Sequence, residues 1–285
     1  MRAAIEAGKA AGIPVYAVFW DMLHWTTPES PPEEDALLKH TDWEEVNWNQ
    51  KCECTKEGKF ASPFNPEVVG ALSDLSGEVS KKYPELAGIA CDVRLSFNQI
   101  LGFSPSARLQ YLREKSIDPL DIDLFTEEAS EQGYVRDWIQ WRIARLDDLL
   151  KSLGVAFRGD NKQRKVISFC YANFYKWGLN GRIYVTQDWV RWVLQELADE
   201  VVFVGDWSRP QNETSYRDAV QRLQGASKTM PYSVLVSTKM TSGEPADLRS
   251  QMEALWRQSP VNEVLINVQS NEDIKSAEEF LAQMP

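Results

Sequence analysis

Residues 65–93 read NPEVVGALSDLSGEVSKKYPELAGIACDV, and the order of signals within them decides the fold. Asn65 is a good helix cap, and Pro66 fits the first turn, where its missing N–H costs nothing. Val68, Leu72, Leu75 and Val79 then recur at helical spacing, which predicts a helix with one apolar face. Gly88–Val93 follows as an apolar strand that carries Asp92 at its end.

The same helix-then-strand unit recurs in both directions along the chain. Upstream, a helix over Arg2–Ala11 leads into the apolar run Val15–Trp20. Downstream, a helix near Tyr134–Leu153 precedes Lys165–Tyr171, and Val190, Val193, Leu194 and Leu197 mark a helix before Val201–Gly205. Tyr216, Ala219, Val220 and Leu223 precede Tyr232–Val236. Leu248, Met252 and Leu255 precede Val264–Val268, and Ile274, Ala277 and Leu281 mark a closing helix. Runs such as VISFC, VVFVG and VLINV are apolar on both faces, as parallel strands covered by helices must be. Right-handed crossovers wind such units into a barrel or an open sheet. Neither GxGxxG nor GxxxxGK[ST] occurs, which removes the main support for a nucleotide-binding open sheet. The expected class is α/β, a (β/α)8 TIM-barrel type that is incomplete, with about six parallel strands where a full barrel has eight.

The 285 residues suit a single barrel-type domain spanning 1–285. Because the chain opens on a helix, it reads as lacking its first strands. Met1 is then an internal start, a truncation, or the beginning of an incomplete barrel. Such a sheet would leave strand edges open, so a partner segment or an oligomer covering them is expected. Composition is ordinary for a globular protein, with 43% hydrophobic and 26% charged residues. The net charge of −11 makes phosphate backbones and anionic lipid poor partners. No apolar run approaches the roughly 18 residues of a membrane span, and the N-terminus does not resemble a signal peptide.

In such barrels the loops after the strands form the active face, and two are long: Asp21–Ser62 and Arg94–Gly133. The first holds Trp25, Trp43 and Trp48, and the second Phe97 and Phe103, rings suited to stacking on sugar faces. Trp138, Trp141, Trp189, Trp192 and Trp256 fall on helices and are expected in the core. Three carboxylates end strands: Asp21, Asp92 and Asp206. A charge at the end of an apolar strand needs partners or a wet cleft, and paired carboxylates across a cleft are what glycoside hydrolysis requires. The bland alternative is a helix cap or a salt bridge, with Arg94 simply neutralising Asp92. His24, three residues after Asp21, could contact substrate. No G-x-S-x-G elbow is present. Cys52 and Cys54 near His40 lack the second paired element of a zinc site, so neither metal nor other cofactor is expected.

These residues resemble a known family. NPEVVGAL…YPELAGIACDVR, LGFSPSARLQYLREKSIDPLDID, WIQWRIARLDDLL and TQDWVRWVLQELADEVVFVGDW occur in the order found in the bacterial glycosyl-hydrolase-10-like barrels. The resemblance covers nearly the whole chain and starts at the helix before the family's third strand. It implies a carbohydrate substrate and makes Asp92 the counterpart of the aspartate ending the fourth strand. The family's usual Asp-x-x-Arg-Tyr-Pro is here Asp92-Val93-Arg94-Leu95, and its Pro-x-x-Tyr is replaced by Gly205-Asp206-Trp207. Family members are often exported. The expectation is a hydrolase of polysaccharide or cell-wall glycan. Asp92 is its nucleophile or base, Asp206 or Asp21 the proton donor, and Arg94, His24, Trp25 and Trp207 shape the sugar site. The first rival is a non-catalytic carbohydrate-binding barrel. A second, an aldolase or isomerase, would need a strand-end lysine, for which only Lys239 offers itself.

Overall fold

The computed structural model describes residues 1–26, 36–49, 58–97, 99–124, 133–172, 179–205, 207, 210–237, 251, 255, 263–267, 275, 278 and 279. In chain order they form α1 (Arg2–Ala11), β1 (Tyr16–Phe19), β2 (His24–Thr26), α2 (Ala36–Lys39), β3 (Lys59–Phe60), α3 (Pro66–Lys82) and β4 (Gly88–Cys91). Then come α4 (Pro105–Lys115), α5 (Tyr134–Arg158), β5 (Lys165–Tyr171), α6 (Leu179–Val185) and α7 (Trp189–Leu194). The last are β6 (Glu200–Val204), α8 (Pro210–Ala226), β7 (Tyr232–Ser237) and β8 (Val264–Asn267). Among the described residues six strands run parallel to their neighbours, the α/β pattern of an incomplete barrel. No described helix is long and apolar enough to cross a membrane. The chain divides into two compact units, Met1–Val166 with Gly178–Asp188, and Ile167–Trp177 with Trp189–Pro285.

In the first unit β1 pairs with β4 from Tyr16↔Gly88 to Phe19↔Cys91. The Asp92 N–H carries the ladder one step further by donating to the Phe19 carbonyl at 2.9 Å. Every residue of β4 is buried, whereas Val18 of β1 is 55% exposed. At the start of β4, a Cβ on Gly88 would collide with the backbone of Lys165, so only glycine permits this approach.

Helix α3 begins as its sequence predicts: Asn65 accepts the Glu67 N–H at 2.9 Å, with Pro66 in the first turn. The Asn65 amide also donates to the Asp42 carbonyl at 3.1 Å, so the cap fastens the preceding excursion as well. The small side chains Ser76 and Gly77 let α3 lie close on α5, where the Ser76 hydroxyl donates to the Leu153 carbonyl at 3.0 Å. Helix α5 buries Trp138, Ile139, Leu146, Leu149, Leu150, Leu153 and Phe157. Full burial of a side chain such as Phe157 stabilises by about 1.5–3 kcal/mol, which accounts for α5 continuing past the expected Leu153 to Arg158.

The two long excursions are more ordered than loops. Within 22–62, β2 and β3 pair antiparallel. They are two further strands, but they pair with each other and add no parallel strand. The excursion from Arg94 contains α4, capped by Ser104 with Pro105 in its first turn. Past α4, Asp118 accepts the Leu120 N–H at 3.0 Å and holds Arg108 in an ion pair.

In the second unit β5, β6, β7 and β8 pair in sequence order, through Ile167↔Glu200, Val201↔Tyr232 and Val234↔Val264. Phe203 is fully buried, 5.3 Å from the Trp189 ring and 6.3 Å from Tyr216. The helix expected over 190–197 is the shorter α7, and α6 before it carries no apolar period long enough to be read. The expected helices around Leu248–Leu255 and Ile274–Leu281, together with Val268, lie largely outside the described residues.

Candidate active site

Four of the expected site residues meet at the ends of β1 and β4. Asp21 follows β1 with a left-handed backbone, φ 48°. That conformation is costly for a residue with a Cβ and is tolerated best by Asp and Asn. It aims the carboxylate at Arg94, whose Nη2 lies 2.7 Å from Asp21 Oδ1. The same guanidinium reaches Asp92 through Nε, 3.4 Å from Oδ2. The backbone N–H of Asp21 donates to that Asp92 oxygen at 3.3 Å. One cation therefore holds two carboxylates from neighbouring parallel strands.

The Asp92 side chain is 0% exposed and Asp21 is 23% exposed, so Asp21 stands nearer the solvent. His24 Nδ1 lies 3.1 Å from Asp21 Oδ2, and the imidazole stacks on Phe60 with centroids 4.8 Å apart. Arg94 is in turn positioned by the Phe97 ring, 3.9 Å from its guanidinium carbon, and by donation to the Leu95 carbonyl. The strand end itself is pinned by Gln187, which donates to the Val93 carbonyl at 2.9 Å, and by Leu95 N–H donating to Val185. With Asp21 and Asp92 ionised and Arg94 charged, the cluster carries one net negative charge, which becomes neutral when His24 is protonated.

The other expected residues fall elsewhere. Trp25 is half-buried, donates from its indole to the Met22 carbonyl at 2.8 Å, and meets Trp43 edge-on at 5.7 Å. Trp43 in turn stacks with His40 at 4.0 Å and donates to Glu67. Trp207 belongs to the second unit. It is fully buried, covers Gly205, and donates to the Leu235 carbonyl at 2.9 Å, so its ring packs an interior instead of facing a sugar. Asp206, Cys52, Cys54, Lys239 and Trp256 lie outside the described residues. Cys91 is free and buried, with its thiol pushed up by burial and by the charge of Asp92 beside it.

Sequence reading missed Glu45. Its carboxylate is buried and accepts from the backbone N–H groups of Val46 (3.0 Å), Gly102 (3.1 Å) and Ser104 (2.8 Å), and from the hydroxyls of Ser62 and Ser104. Burial still raises its pKa against the hydrogen bonds from Ser62, Ser104 and Val46. Beneath it Arg142 is fully buried over the Trp138 ring, donates to the Ile183 carbonyl at 2.8 Å, and is pushed down to about 9 by burial. A glutamate in DWEEVNW looks like solvated loop charge, and its partners 57 and 59 residues away leave no local signal. Among the described residues no cluster of three His, Cys, Asp or Glu side chains has the arrangement to hold a metal ion.

Parallel strands covered by helices, six of them among the described residues, are the architecture of an incomplete TIM-type barrel. The chain belongs to the glycosyl hydrolase-like 10 family, whose model matches residues 2–276. Its fold is similar to the PgaB (BpsB) glycoside hydrolase domain from Bordetella bronchiseptica, with TM-score 0.68 and 17% identity over 99% of this chain and 77% of that one. It is also similar to the catalytic domain of a β-amylase from Paenibacillus polymyxa, with TM-score 0.60 and 12% identity over 93% of this chain and 78% of that one. A β-galactosidase from Rahnella sp. R3 matches with TM-score 0.62 and 10% identity over 96% of this chain and 44% of that one. No curated protein matches the chain.

Proposed function

We propose that the chain is a glycoside hydrolase acting on a polysaccharide or cell-wall glycan. The observation that carries this reading is the sharing of Arg94 by Asp21 and Asp92 at neighbouring strand ends. Hydrolysis needs one carboxyl group to protonate the departing glycosidic oxygen. A second must stay ionised, either to attack the anomeric carbon or to draw a proton from water. Asp92 is the nucleophile or base, because contact with a guanidinium and a backbone N–H favours its ionised form. Asp21, with His24 Nδ1 3.1 Å from its carboxylate, supplies the proton. Arg94 and His24 orient the sugar. The chemistry uses carboxyl groups alone and calls for no cofactor.

The test is Asp92→Asn, which keeps the shape and removes the charge. On a glycan that the parent cleaves, reducing-end release is expected to fall at least about 100-fold with the circular dichroism spectrum unchanged. A variant that keeps most of the activity takes Asp92 out of the mechanism. The burial of Asp92 behind Arg94 favours a second reading, a carbohydrate-binding protein on a degenerate barrel. In that case the parent retains glycans on an affinity gel and releases no reducing ends from any of them. The exposed Val18 of β1, with Trp20 just beyond it, supports a covering segment or a second copy of the chain. Light scattering across a concentration series tests the second copy.

A further inference from the structure

A second candidate site lies on the two excursions that leave the strand ends at Asp21 and Asp92. Trp48 and the segment through Ile100 are joined edge to edge: Asn47 bridges Leu101, and Trp48 N–H donates to the Ile100 carbonyl at 3.2 Å. Asn49 N–H closes a turn on the Asn47 side chain at 3.1 Å, so the backbone that presents Trp48 is held on both sides. Beside it is an open depression of about 150 Å³ lined by Trp48, Phe103, Pro119, Leu120, Ile122 and Asp123, among others. Its floor is firm. Phe103 and Ile122 are buried, and Phe103 packs on Trp138 with ring centroids 4.9 Å apart. At its rim Trp48 is 43% exposed and Asp123 is exposed too.

We infer that this depression is a sugar-binding subsite, taking one neutral pyranose residue of a glycan chain at a distance from the strand-end carboxylates. The inference rests on the proposed carbohydrate function and adds where the chain of sugars is gripped. A pyranose is a disc with C–H groups on its faces and hydroxyls around its rim. It therefore wants a flat ring to stack on and an acceptor at the edge, which Trp48 and Asp123 offer together. An empty space for a single ring suits a sugar and is too small for a folded partner. Aromatic stacking is tolerant of the occupant's detail, so the subsite fixes the polymer without selecting each sugar. Asp123 and the net charge of −11 work against a uronate or sulfated chain.

The experiment is affinity electrophoresis of the full chain in gels containing hydroxyethylcellulose, mannan, glycol chitin or alginate, run in parallel for wild type, Trp48→Ala, Trp48→Phe and Asp123→Ala. Retardation is expected in at least one neutral gel, with an apparent Kd about tenfold weaker for Trp48→Ala. Trp48→Phe should recover most of the loss, Asp123→Ala should give an intermediate loss, and alginate should retard none of them. Thermal melts check that each variant is folded, and Phe-for-Trp recovery separates lost stacking from a disturbed loop. Wild type retarded equally with Trp48→Ala overturns the subsite and leaves the proposed function standing. Wild type retarded by no neutral gel also overturns the subsite, and reducing-end release then decides the proposed function separately.

Discussion

At the residue scale two buried carboxylates have opposite electrostatic surroundings. Asp92 is balanced by Arg94, whereas Glu45 is surrounded by dipoles and burial raises its pKa. The sign of the consequence follows from linkage. A folded carboxyl that keeps its proton above the unfolded value of 4.5 makes stability fall as pH rises through that window, after which the cost is constant. Glu45→Gln should remove this slope, since its amide oxygen still accepts the three backbone N–H groups and the serine hydroxyls can turn to accept from its NH2. Glu45→Ala leaves those buried donors unmet and should cost roughly 3 kcal/mol. Urea denaturation at pH 4.5 and pH 7 checks both statements. The aspartates that meet here were legible because each ends an apolar run. Glu45 was not legible, because its meaning lies in partners far along the chain.

At the element scale the punctuation of the sequence was read well where a period followed it. Asn65-Pro66 opens α3 as expected, and Ser104-Pro105 opens α4 with the same device. The second signal was absorbed into a long excursion because α4 has almost no apolar stripe, with only Ala107 and Tyr111 buried. Strands fared better: GIAC and VVFV are apolar on both faces and are buried in the fold, except at the end of β6. Val18 departs from this rule on β1, and no reading of VYAVFW could tell which face lacks a cover. Gly88 offers the sharpest test at this scale. Gly88→Ala drives a methyl group into the Lys165 backbone and is expected to destabilise the first unit by about 1–3 kcal/mol. A thermal melt unchanged from the parent would show that β4 and Lys165 do not approach as described.

At the scale of the molecule, the order of helix and strand runs was enough to give the class of fold, because each unit repeats one physical rule. What stayed hidden was the content of the excursions, where hydrogen bonds between distant segments replace periodicity. The charge of −11 acts on the whole surface, and it is expected to keep the protein from being retained on heparin or duplex DNA even at low salt. Retention that is lost steeply as salt is raised would reveal a basic face that the net charge conceals. The Glu45 carboxylate has a consequence of its own for motion. It binds Val46 on one excursion and Gly102 and Ser104 on the other, so neither excursion can loosen without releasing the other. The amide protons of these three residues should exchange with deuterium at one shared opening free energy, as members of a single cooperative unit. In Glu45→Ala all three should speed up together, while the amide of Phe169 on β5 keeps its protection relative to global unfolding. A glycan chain lying along both excursions would meet one stiff rim where the sequence suggests two independent flaps.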